Sequence, residues 1–172
     1  MTFRGEQELQ PARSGFIWGT VWFAFCSELM PLGLRTWAPD LLLMVLLFWG
    51  IHQPRRIGLA AAFGFGVLMD VQAASLLGQH ALAYAVCMFL AQQARNHLLW
   101  HNSGVIQAVY LWPLFMLLQL LLFIPGYLHT QVVPPMQVLW VPLLQTLVWP
   151  LLRLALLLPQ MQGRDYDQIR RL

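Results

Sequence analysis

Gly104 to Ile124 is a run of 21 residues without one charged side chain. Wound as an α-helix it would reach roughly 31 Å, the thickness of the hydrocarbon layer of a bilayer. A second run, Met136–Leu158, carries only Arg153, close to its end. Other apolar runs precede these two, and a soluble core cannot bury so many. Composition agrees: 59% of the chain is hydrophobic and 10% charged, against about 45–50% apolar and about 25% charged in soluble domains. With seven acidic and ten basic side chains among 172 residues, the surface of a soluble domain could not be covered. The expected class is an all-α polytopic membrane helix bundle.

Taken in order, residues 1–13 form a polar lead and 14–158 a single helical membrane domain, followed by a polar tail over 159–172. The apolar segments predict six spans, with five as the alternative because the fourth is short. They cover Ser14–Leu34, Trp37–Gln53, a third helix from Ile57, His80–Ala94, Gly104–Ile124 and Met136–Leu158, with a turn-rich loop over Pro125–Pro135. No cleavable leader is expected, because the first 15 residues are polar and include Glu6 and Glu8.

The basic residues are all arginine. They stand in ones and twos, which does not suit a nucleic-acid groove. With six spans and the N-terminus inside, the cytoplasmic segments hold Arg4, Arg13, Arg55, Arg56, Arg95, Arg164, Arg170 and Arg171, and the external ones hold Arg35 alone. That asymmetry predicts both termini on the cytoplasmic side of the membrane. Cys26 and Cys87 lie in apolar segments and read as small buried hydrophobes, not a disulfide or a metal pair.

The stretch Ile57–Ala81 is expected to be the centre of the fold. Gly58, Ala62, Gly66 and Asp70 recur every fourth residue, so one helix face is a stripe of small residues ending in a carboxylate. Such a face admits a neighbouring helix and turns the charge into protein. Glu28 and Asp40 fall at the same predicted level as Asp70, and Arg35 is a candidate counter-ion. The plainer readings are that Asp40 caps a helix and Asp70 marks the exit from the membrane. His80, at the start of the next helix, is near enough in sequence to Asp70 for a contact across the turn. Gln107, Gln119 and Gln145 are expected to donate hydrogen bonds between helices. No metal motif, nucleophile elbow or phosphate loop is present in the sequence, so neither an enzyme nor a cofactor is expected.

Several short stretches carry a family resemblance. Trp37-Ala38-Pro39-Asp40 opens an apolar helix that reaches Phe48-Trp49, and Pro54-Arg55-Arg56-Ile57-Gly58 follows it. Gly66-Val67-Leu68-Met69-Asp70-Val71 leads to Ser75-Leu76-Leu77-Gly78-Gln79-His80-Ala81-Leu82, and Val148-Trp149-Pro150 comes near the end. In order and spacing these resemble the rod shape-determining protein MreD family. The matching positions are Pro39, Asp40, Gly66, Asp70, Gly78, Arg55 and Arg56, while His80 stands where some relatives carry arginine. The resemblance implies a non-enzymatic scaffold of the cell elongation machinery, needed for rod shape and lateral peptidoglycan synthesis. The implied partners are MreC, with MreB, RodZ and the elongation peptidoglycan synthases in the same assembly, and membrane lipid. It also implies an architecture similar to the substrate-binding subunits of energy-coupling-factor transporters. The alternative is a small-molecule or vitamin transport subunit, whose outward cavity the carboxylates would line.

Overall fold

The computed structural model describes residues 13–30, 38–100, 103–130 and 137–169, and everything below concerns these. They form seven helices: α1 (Ser14–Leu29), α2 (Leu41–His52), α3 (Leu59–Ala73), α4 (Gln79–Gln93), α5 (Arg95–Trp100), α6 (Gly104–Thr130) and α7 (Gln137–Ile169). The class is all-α, as the apolar periods require. The expected six spans are not present. Two helical segments are long and apolar enough to cross a membrane, Gly104–Ile124 in α6 and Leu139–Leu158 in α7.

The correction has a local cause at each shorter helix. α1 stops at Leu29 because Met30 precedes a proline and takes extended backbone, φ −70° and ψ 125°. α2 starts at Leu41, not at Trp37, because Asp40 is its N-cap and accepts from Leu43 N. α3 and α4 have 15 residues each. At 1.5 Å per residue, α1 to α4 rise only about 18–24 Å, short of a layer of about 30 Å. At the other end of the chain the helices outrun expectation. α6 continues through Pro125 to Thr130, where a loop was expected, and α7 continues past Leu158 to Ile169; residues 131–135 lie outside the described set.

The centre of the bundle is α2, not α3. Every residue from Leu42 to Ile51 is buried, so the helix has no polar face to turn outward. α1 packs on it through Phe16, whose ring meets Trp49 edge-on at 5.9 Å. Thr20 Oγ1 accepts from Trp49 Nε1 at 2.9 Å, which satisfies the polar tip of a fully buried tryptophan. α3 lies outside this layer and makes its closest contact with α4. An adjacent flank meets α1, where Phe65 sits among Trp18, Trp22 and Phe25. α6 and α7 pack on each other as a hairpin that closes the bundle against α4 and α2.

The expected small-residue stripe is the contact face of α3. Ala62, Gly66 and Asp70 are buried along it. A Cβ on Gly66 would come within 2.7 Å of Ala81 N and 2.8 Å of His80 O, so glycine there sets how closely α3 and α4 approach. The bundle exterior is apolar. Phe23, Phe63, Val71, Leu77, Leu82, Val109 and Leu147 are each more than half exposed, on α1, α3, the 74–78 turn, α4, α6 and α7. An apolar exterior on this scale marks a surface that meets something other than water.

Candidate functional site

The carboxylates of Glu28, Asp40 and Asp70 meet at one end of the bundle. Each is held by the start of a helix, where backbone N–H groups lack partners and the helix dipole favours negative charge. Asp40 is the plainest case: its Oδ1 accepts from Leu43 N at 2.8 Å, within its own helix start. Its Oδ2 accepts from the hydroxyl of Tyr84, reaching over from α4. Glu28, in the last turn of α1, accepts from Leu41 N at 2.9 Å and so shares the capping of α2. Its backbone carbonyl takes the side-chain amide of Gln72 from α3. Four helices are thereby tied at this end by groups that water would otherwise have to satisfy.

Asp70 is the hub of the α3–α4 turn. The turn begins with Ala74 in the left-handed region (φ 49°), where Ser75 N reaches back to Asp70 O. It ends with Gly78 at φ 99°, a conformation that side-chain-bearing residues rarely adopt. This path swings the start of α4 over the Asp70 carboxylate. Oδ1 accepts from His80 N at 2.7 Å, from His80 Nδ1 at 2.8 Å and from Ser75 Oγ at 3.1 Å. Oδ2 accepts from Gly78 N at 2.8 Å and Ala81 N at 3.3 Å. The side chain is fully shielded from solvent. A carboxylate has about four lone-pair positions, so these five donors leave none for a ligand. Gln79 takes no part and donates instead to Leu122 O on α6, which brings the hairpin to the same end.

Ser75, His80 and Asp70 stand together, yet not as a nucleophilic relay. In such a relay the acid and the nucleophile occupy opposite ring nitrogens. Here both Asp70 and Ser75 approach Nδ1, Ser75 at 3.4 Å. Among the described residues no three His, Cys, Asp or Glu side chains converge as a metal site would require.

The arginines gather at the opposite end. Arg56 donates to Ser14 Oγ at 2.8 Å, joining the start of α1 to the turn before α3. Arg95 Nε donates to Ile51 O at the end of α2. Arg153 lies beside Gly104 at the start of α6. Arg55 is exposed there, and Arg35 lies outside the described residues. Among the described side chains, acid and base are therefore segregated to opposite ends.

Of the sequence candidates, the structure brings Glu28, Asp40, Asp70, Gly78 and His80 to one end, and it places Gly66 on the α3–α4 contact face. It leaves Arg55 and Arg56 about a helix length away. Sequence reading missed Tyr84, which the need of a buried phenol for a partner could have flagged. It also misread Gln145: Gln107 does donate to Leu98 O at 2.8 Å, whereas both polar atoms of Gln145 are buried without a partner.

No solved structure matches this chain, so the expected similarity to energy-coupling-factor subunits finds no support. The rod shape-determining protein MreD of Haemophilus influenzae is 32% identical over 111 residues, covering 62% of this chain and 67% of that protein. The model of the family described as rod shape-determining protein MreD matches residues 14–158, which take in all six helices from α1 to α6 and α7 as far as Leu158. The chain belongs to the MreD family of rod shape-determining proteins.

Proposed function

We propose that this chain is a non-enzymatic scaffold of the bacterial cell elongation machinery, an inner-membrane protein that supports rod shape and lateral wall synthesis by association with MreC. MreB, RodZ and the elongation peptidoglycan synthases belong to the same assembly. The observation that carries the proposal is the use of the carboxylates in a chain of this family. Glu28, Asp40 and Asp70 all spend their lone pairs on helix starts and a tyrosine. Charges buried this way fix the relative positions of helices and present a constant surface to partners. The protein crosses the membrane more than once, with its arginine end toward the cytoplasm. The start of α1, where Arg56 meets Ser14, and the stretch of α7 beyond Arg153 both lie at that end. Both termini are accordingly cytoplasmic.

The experiment is a pair of substitutions at Asp70. Asp70→Asn keeps size and an acceptor, so complex with MreC should be partly retained and cells should stay rod-shaped. Asp70→Leu strands the amides of Gly78, His80 and Ala81, at about 1–3 kcal/mol each, and should sharply lower co-purified partner. A ligand or proton role predicts the reverse pattern. Full partner recovery by the Leu variant together with loss of rod shape in the Asn variant would refute the scaffold account.

A further inference from the structure

Two fully buried side chains on α7 have polar atoms that no other group meets. Gln145 and Trp149 both have 0% exposure, and Gln145 Oε1, Gln145 Nε2 and Trp149 Nε1 lack any hydrogen-bond partner. Elsewhere the bundle satisfies the same groups. The amide of buried Gln107 donates to Leu98 O, and the indole of the other fully buried tryptophan, Trp49, donates to Thr20 Oγ1. Among the described buried glutamines and tryptophans, the α7 pair is therefore the exception.

The two residues are one helical turn apart and lie on the same face. That face looks inward: Trp149 sits 6.2 Å from the ring of Phe115 on α6, and α2, the other neighbour of α7, is apolar from Leu41 to Ile51. No backbone carbonyl or amide lies within hydrogen-bond reach of these three atoms. We propose that Gln145 and Trp149 form an internal hydration site, at which a water molecule accepts from Trp149 Nε1–H and donates to Gln145 Oε1. Side chains one turn apart on the same face are neighbours, and one water with two hydrogen bonds of about 2.9 Å bridges polar atoms up to about 5.8 Å apart. The site takes a small neutral molecule that both donates and accepts. Zero exposure of both residues excludes a lipid headgroup or a partner helix. The hydrated pair holds α7 in one register against α2 and α6, since sliding the helix would strand Trp149 Nε1 and Gln145 Oε1 in an apolar seam. This inference does not rest on the scaffold role.

The test uses the full chain in detergent, with the tryptophan indoles labelled with nitrogen-15. Trp149→Phe removes one indole resonance and so identifies it; Gln145→Leu should shift the same resonance, which gives an assignment if the Phe variant fails to fold. Magnetisation from water should reach the Trp149 indole proton directly, although the ring is buried, and the transfer should be lost in Gln145→Leu. Gln145→Leu should also lower Tm. A Trp149 indole proton that receives nothing from water in the unaltered protein, with Gln145→Leu melting at or above the parent, would overturn the proposal.

Discussion

Adding a single methyl group to α3 tests how its stripe is used. Gly66→Ala places a Cβ 2.7 Å from Ala81 N and 2.8 Å from His80 O. Both atoms belong to the backbone of the first turn of α4, so no side chain can rotate away. Ala81 Cα lies nearer still, so restoring ordinary contact at 3.4 Å requires the helices to part by more than the roughly 0.7 Å that Ala81 N alone would need. His80 N and Ala81 N are also donors to Asp70, so the same displacement stretches the bonds that close the turn. Overpacking of this kind costs about 1–3 kcal/mol, while replacing glycine by alanine in a helix gains up to about 1 kcal/mol. The internal control is Gly64→Ala on the same helix, where a Cβ meets nothing within 4 Å and only the gain remains. Thermal unfolding in detergent should place Gly64→Ala at or above the parent and Gly66→Ala below it, with Gly66→Leu lower still. The gap between the two alanine variants measures the clash, about 1–3 kcal/mol. Equal melting of the two alanine variants would mean that Gly66 does not set the α3–α4 distance, and the packing account would be wrong.

Two turn positions should respond with opposite signs: Gly78→Ala, at φ 99° with open space around it, should lose about 1–2 kcal/mol, and Ala74→Gly, at φ 49°, should be neutral or gain up to about 1 kcal/mol by the same melting assay. Tyr84→Phe deletes the donor to Asp40 and should cost about 1.5–3 kcal/mol, the range for a hydrogen bond to a charged group; an unchanged Tm would show that the tyrosine does not tie α4 to the start of α2. For orientation, Cys26 is exposed and Cys87 buried, so single cysteines can be read in a Cys26→Ala background. Leu77→Cys at the carboxylate end should react with a membrane-impermeant maleimide added to the outer face of the membrane, and Asn96→Cys at the arginine end should not; the opposite pattern would reverse the assigned orientation.

The sequence by itself determined the helical class, the apolar exterior and the family. These depend on composition and on short local patterns, which survive in any packing. It also anticipated where several candidate residues stand in the structure: Asp40 at a helix start, the small face of α3, and a turn at Ser75–Gly78 with Asp70 close to His80. Each follows from chemistry within about ten residues. Only the tertiary structure decided which helix is central. α2 and α3 are both apolar, and the difference between ten consecutive buried residues in α2 and five in α3 arises from neighbours distant in sequence. Helix lengths were misjudged for a related reason. Hydrophobicity continues through Leu32 and Leu34 and through Trp37, but caps are set by backbone hydrogen bonds, and Glu28 supplies one of them to a helix thirteen residues on. The partners of Tyr84, Gln72 and Gln79 lie 44, 44 and 43 residues away. No local pattern announces them, because a buried donor constrains only that some acceptor be present, and the fold chooses which one.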